Sequence, residues 1–310
     1  MKLSVLWNHY WFRPFPLIYL ALARILAVGF QILFLLGSHL GELRRMSQLP
    51  DAFYDPIPLL HLFLVPFGFH GRPSLEIVQL VYAVTLIAGA FALKGLLSHF
   101  SLMIFAAGNL FMQGYLYSFH DIHHGQTAMM MFLIFLALSP SGRLLSIDQW
   151  IRKLRSKPEK NKTEDFHFLK RRSRFALWPF LLMHWIFALI YLSAAKGKWS
   201  NNGFEWANGH TLQYYFFEYS VRKGVALGDF FGSQHVLAVV LSWFTLFFES
   251  TFWFILPIPG LILLYAPMGF LFHFGTAITL KAEFYSFMTL YIVFLPWLLG
   301  QPLAAGKKTE

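Results

Sequence analysis

Apolar runs of about twenty residues, long enough to cross roughly 30 Å of hydrocarbon as helix, recur along the 310-residue chain. Eight can be read: Phe15–Leu36, Ser74–Leu96, Leu97–Tyr117, Ile122–Leu138, Ala176–Ala195, Val236–Leu256, Leu261–Ile278 and Phe284–Leu299. In lipid every backbone polar group must be satisfied within the protein, and runs of this length do so as helices. Only 13% of the residues are charged against 57% apolar, whereas a soluble domain carries about 25% charged residues. The expected fold is therefore an all-α membrane protein, a polytopic bundle of about eight transmembrane helices in one domain, 1–310. Asn109, Gln113, Pro267 and His273 interrupt the third and seventh runs. The first run is too long for a cleaved signal peptide and contains Arg24. Cysteine is absent, which excludes disulfides, a thiolate nucleophile and Cys-ligated metal.

Loop charge sets the expected orientation. Arg143–Arg174 holds eleven basic and four acidic residues, a net +7 out of the chain's +10. The loop 141–175 is therefore expected on the cytoplasmic side of a plasma membrane (the inner membrane of a bacterium). Both termini go with it, carrying Lys2 at one end and Lys307 and Lys308 at the other. Gly37–Pro73, Phe119–Asp121 and an interfacial loop over 196–235 then face outward. A basic run can also mark a nucleic-acid patch. Attraction to anionic lipid accounts for this one, so the expected partner is membrane lipid and no nucleic acid. The sequon Asn161-Lys162-Thr163 is usable only in the reverse topology.

Ionisable residues inside spans are costly and mark function or buried pairing. Four stand out: Arg24, His184, Glu249 and His273. Arg24 and Glu249 fall at similar depth in the inner half of the bilayer, and a structural ion pair between them is expected, with a proton relay as the alternative. The outer ends of the spans hold His120-Asp-Ile-His123-His124-Gly125, Lys196-Gly-Lys198-Trp199, and His273 with Lys281 and Glu283 beyond it. Two chemistries compete for this cluster. His120-x-x-His123-His124 has the form of one histidine box of a membrane di-iron enzyme, but such enzymes need about eight histidines in three boxes. No second box is present, so no metal is expected. The other chemistry is general-base catalysis by a lysine, since an ammonium half-buried beside another cation gives up its proton readily.

Tyr191-Leu-Ser-Ala-Ala-Lys196-Gly-Lys198, followed by Trp206-Ala-Asn-Gly209, resembles the Tyr-x-x-Ala-Gly-x-x-Lys and Trp-x-x-Gly signature of the vitamin K-dependent gamma-carboxylases and the related horizontally transferred transmembrane domain (HTTM) proteins. Arg24, His124-Gly125, Ser139-Pro140, Glu249 and Phe272-His273 extend the resemblance over roughly Phe12 to Leu299. It implies a carboxylase-related transmembrane domain and a carboxylase-like oxidoreductase using a reduced quinone, a vitamin K hydroquinone or menaquinol-like molecule. Lys198 would be the base that deprotonates the quinol, with His124 and His273 in support. Trp199, Trp206, Lys196 and His120 would line the cofactor pocket, and a peptide or small molecule would be the substrate. The interval from Lys198 to Trp206 is longer than in the carboxylases, and the lumenal substrate-binding domain of that family is not expected within these 310 residues. The rival expectation is a non-enzymatic membrane maturation, immunity or lipid-handling factor on the same fold. Three further features have plain readings. His210–Arg222 is an aromatic interfacial helix, Met129–Met131 is core packing rather than a copper site, and Trp7, His9 and Trp11 form an interfacial anchor.

Overall fold

The computed structural model describes residues 3–68, 71–120, 124–155, 170–282 and 284–301. The sequon at Asn161, Lys157, Lys160, Lys162, Asp121, His123, Glu283 and the terminal Lys2, Lys307 and Lys308 lie outside the described residues. Two compact units divide the chain, Met1–Pro179 and Phe180–Glu310.

The first unit contains α1 (Leu3–Trp11), β1 (Phe15–Pro16), α2 (Leu17–Phe34), α3 (Leu40–Ser47), α4 (Pro58–Leu64), α5 (Leu75–Lys94), α6 (Ser98–Tyr117), α7 (Thr127–Leu138), α8 (Ile147–Arg155) and β2 (Arg172–Ser173), and it holds the first two residues of α9 (Trp178–Asn201). The two strands make a minimal antiparallel ribbon, Phe15 opposite Ser173 and Pro16 opposite Arg172. α2 continues through a π-helical turn, Leu35–His39, that kinks at Gly37 before α3 begins. α5 stops at Gly95, which takes a left-handed φ of +67° as helix-ending glycines do. α6 starts three residues later because Asp148 accepts hydrogen bonds from the Leu97 and Ser98 amides, both at 2.8 Å, and from the Ser98 hydroxyl at 2.6 Å. α5 and α6 approach closely: a Cβ on Gly108 would overlap Thr85, and one on Gly89 would lie 2.7 Å from the Phe105 ring.

In the second unit α9 continues to Asn201 and is followed by a 3-10 turn, Gly203–Asn208. Then come α10 (His210–Lys223), α11 (Ala226–Ser233), α12 (His235–Thr251), α13 (Ile262–Leu280), α14 (Tyr285–Leu290) and α15 (Leu295–Leu298). Its core is aromatic. Phe187, Phe248, Phe252, Phe287, Tyr291 and Phe294 are all buried, with ring centroids at 4.5–6.3 Å in edge-on, tilted and stacked geometries.

Among the described residues, five helices are long and apolar enough to cross a membrane: Leu17–Gly37, Leu75–Lys94, Trp178–Asn201, His235–Ile255 and Pro259–Leu280. Leu33, Leu80, Phe100 and Val236 turn 64–77% of their surface outward, which is the exposure of a lipid-facing belt rather than of a soluble surface. The protein is an all-α membrane protein. The other expected spans take different forms. Leu97–Tyr117 does give a 20-residue helix, but its polar Asn109 and Gln113 face inward, and Gln31 Nε2 donates to Asn109 Oδ1 at 2.8 Å. The runs at 122–138 and 284–299 yield only the shorter helical stretches Thr127–Leu138 and Tyr285–Leu298. In the segment 196–235, expected as an interfacial loop carrying a helix at His210–Arg222, α10 forms that helix, and Trp199, Phe204 and Gly209 lie against Ser250, Trp243 and Val239 of α12 in antiparallel order.

Candidate functional site

Lys198 is the twenty-first residue of α9 and Glu249 the fifteenth of α12. Because the chain runs antiparallel along α12 beyond Lys198, the two side chains meet. Lys198 Nζ donates to Glu249 Oε1 at 2.9 Å and to Oε2 at 2.6 Å. Glu249 is 6% exposed and Lys198 21%, so the carboxylate is enclosed while the ammonium keeps one open side. The Trp206 ring centroid is 5.2 Å from Nζ, a cation–π contact. Trp199, the next residue, donates its indole N–H to Ser250 Oγ at 3.0 Å and meets Phe204 edge-on at 5.0 Å.

A second polar cluster occupies the same helix. Tyr191 precedes Lys198 by seven residues, two helical turns, which puts both on one face of α9 about 10 Å apart along the axis. Its hydroxyl lies 2.9 Å from His273 Nε2 on α13 and 2.5 Å from the Tyr291 hydroxyl. One proton arrangement satisfies all three groups: Tyr291 donates to Tyr191, which donates to Nε2. Nδ1 of His273 is then buried with no hydrogen-bond partner. Gly269 makes this possible, since a Cβ there would overlap the Tyr291 hydroxyl. Phe248, the neighbour of Glu249, packs edge-on against Tyr191 at 5.0 Å and joins the two clusters through apolar contact.

Several expectations change. The ion pair between Arg24 and Glu249 is not the one formed. Glu249 takes Lys198, while the fully buried guanidinium of Arg24 donates to the carbonyls of Ala92 at 2.5 Å, Leu93 at 2.9 Å and Leu145 at 2.6 Å. Equal depth in a bilayer does not imply contact, and backbone carbonyls at the end of α5 and at Leu145 take both terminal nitrogens of the guanidinium, leaving Nε without a partner. Nor do Lys198 and Glu249 sit in opposite halves of the membrane, because their bond fixes them at one level. Lys196 is exposed, and two residues before Lys198 on α9 it projects from a different face of the helix. His120 is an exposed residue of the first unit with φ +62°, and the side chain of His124, also in that unit, lies outside the described residues. His184 is a packing group: its ring stacks on Phe294 at 4.6 Å and its Nε2 is 3.3 Å from the Val293 carbonyl.

Tyr291 and Ser250 carry no sequence signal beyond a hydroxyl in an apolar run. Tyr191 had one, as the first residue of the carboxylase-like signature. Among the described residues, no group of three His, Cys, Asp or Glu side chains is placed to hold a metal ion. A quinol needs flat apolar walls and a polar group for its ring hydroxyl. Around the half-open Lys198 ammonium stand the Trp206 ring and the Trp199–Phe204–Trp243 series, whose first pair is edge-on at 5.0 Å and whose last pair is tilted at 5.8 Å. No family model matches the chain, and neither a curated protein nor a solved structure matches it.

Proposed function

We propose that the protein is an integral-membrane enzyme of the carboxylase-like oxidoreductase type that takes a proton from a reduced quinone, with the Lys198–Glu249 pair as its acid–base group. One observation carries the reading: an intramembrane ammonium bonded to both oxygens of an enclosed carboxylate, partly open and in cation–π contact with the Trp206 ring. Isolated charges in this environment are unstable, and paired ones there belong by default to functional sites. A proton can pass along the 2.6 Å bond from Nζ to Oε2, leaving a neutral amine and a neutral acid. The neutral amine is the base, and Glu249 stores the displaced proton until it returns.

Trp206 and Trp199 would hold the quinol ring against Lys198, and the bound quinol would supply the reducing equivalents. The Tyr191–His273–Tyr291 cluster would position α9, with the His273 Nδ1–H left as a buried donor without a hydrogen-bond partner. The substrate class that follows is a lipid-soluble quinol together with a small molecule or peptide that receives the base chemistry. The membrane is a plasma membrane, with 141–175 and both termini on its cytoplasmic side, supported by the net +7 of Arg143–Arg174.

The test is quinol consumption by the full chain in liposomes containing a menaquinol-type quinol under air. Lys198→Ala removes the activity, while Lys196→Ala, at an exposed neighbour, leaves it. Equal turnover in wild type and Lys198→Ala removes Lys198 from the chemistry, and none in either favours the non-enzymatic membrane factor instead.

A further inference from the structure

Between α5 and α6 the first unit carries a groove of about 280 Å³ that no part of the proposed chemistry uses. It is lined by Val84, Ile87 and Phe91 from α5 and by Leu97, Phe100 and Ile104 from α6, with Ala88 and Ser101 at its floor. The six named first are 43–69% exposed, and the wall they form is carbon. Such a wall alone says nothing about its occupant. Its two ends differ, however.

At one end stands Lys94, exposed and in helical register with the groove at three residues from Phe91, seven from Ile87 and ten from Val84. From Lys94 to Val84 the helix rises about 15 Å, half of a hydrocarbon core of about 30 Å and therefore one leaflet. Lys94 ends a candidate span, which is where headgroups lie. α8 docks at the same end: the Asp148 amide donates to the Gly95 carbonyl at 3.0 Å, and the Asp148 carboxylate is consumed by Leu97 and Ser98. α8 is amphipathic, with Ile147, Trp150, Ile151 and Leu154 at the spacing of one face and Arg152, Lys153 and Arg155 around it. Trp150 and Leu154 are 62% and 65% exposed, the pattern of a helix lying in the interface.

An apolar groove one leaflet long, with cations at its headgroup end and none along its length, has the polarity of a lipid. We infer that the α5–α6 groove and the start of α8 form a binding site for one anionic phospholipid. Its acyl chain lies along Val84–Phe91 and Leu97–Ile104, and its phosphate faces Lys94 and the cations of α8. The inference needs only the membrane location of the chain and is independent of the quinol chemistry.

The experiment is native mass spectrometry of the full chain in detergent, titrated with dioleoyl phosphatidylglycerol or dioleoyl phosphatidylcholine. Phosphatidylglycerol should bind with several-fold preference. Lys94→Gln should reduce that preference about fivefold, the worth of one cation near an anionic surface, and Lys94→Gln/Arg155→Gln should abolish it. Ile104→Trp, which fills the groove from an exposed position, should weaken both lipids, and inorganic phosphate should displace neither. Unfolding midpoints of the variants confirm intact folds. Equal binding of the two lipids, a preference untouched in the double variant, or displacement by phosphate alone overturns the inference.

Discussion

Glu249→Gln is the most informative single change, because it leaves shape and hydrogen-bonding capacity nearly intact while stranding Lys198 beside a neutral amide. Removing one partner of a fully buried pair costs about 3–5 kcal/mol, and of an exposed pair at most about 1 kcal/mol. Here the carboxylate is enclosed at 6% exposure and the ammonium partly open at 21%, so the loss should fall between, at about 2–3 kcal/mol. Lys198→Met, which leaves the carboxylate as the stranded charge in the more enclosed position, should cost as much or more. Lys198→Met/Glu249→Leu should recover most of the loss, because no buried charge remains. Reversible unfolding of the full chain in mixed detergent micelles, titrated with dodecyl sulfate, reads all three. The same series with Arg24→Met provides the control: Arg24 and Glu249 have separate partners, so their losses should add within about 0.5 kcal/mol. Additive losses for Lys198 and Glu249, or strong coupling between Arg24 and Glu249, would refute the pairing.

Other consequences are equally direct. Asp148→Ala removes the cap of α6 and should destabilise by about 1–2 kcal/mol at neutral pH. Burial works against the Asp148 carboxylate, but the Ser98 hydroxyl and amide, the Leu97 amide and the Arg152 charge outweigh it and hold its carboxyl below the ordinary 3.8. A depressed folded-state pKa stabilises above the unfolded value and is lost as pH falls through the folded one. The gap between wild type and Asp148→Ala should therefore close below about pH 4, and a gap constant down to pH 2 contradicts the assignment. Gly269→Ala should break the Tyr191–Tyr291 contact and lower the unfolding midpoint, with Tyr291→Phe restoring part of it by removing the colliding hydroxyl. Tyr191→Phe leaves His273 Nε2 without its donor and should cost about 1–3 kcal/mol, measured by the same unfolding titration. Gly95→Ala should destabilise more than a solvent-exposed glycine change, because its φ is +67° and a Cβ would lie 2.9 Å from Arg24 Nη1.

The membrane class was legible because apolar runs are a one-dimensional signal, and helix length in a bilayer is too. The α5, α9 and α12 spans follow directly from it. The run at 97–117 behaves differently: it is helical throughout, yet Asn109 and Gln113 are buried and Asn109 bonds Gln31 in the interior. Lys198 stood out through the family resemblance and His273 through its place in a span, while Tyr191 stood only as the first residue of that signature. The partners were not. Arg24 donates to backbone carbonyls, which every residue possesses and no sequence displays. Glu249 finds Lys198 because the chain folds back along α12 after residue 199, a path set by Trp199, Phe204 and Gly209 together. Tyr291 enters the site only because Gly269 gives it room.

The claim that Lys198 and Glu249 act as one proton-exchanging site in contact with a quinol is tested most directly by infrared difference spectroscopy. The full chain carrying carboxyl-13C-labelled glutamate is reconstituted in liposomes, and spectra are taken before and after addition of a reduced menaquinone analogue. A labelled carboxyl band, assigned to Glu249 by its loss in Glu249→Gln, should change on quinol addition in the wild type. It should shift in position but no longer respond in Lys198→Met. A Glu249 band that ignores both the quinol and the loss of Lys198 would contradict the account.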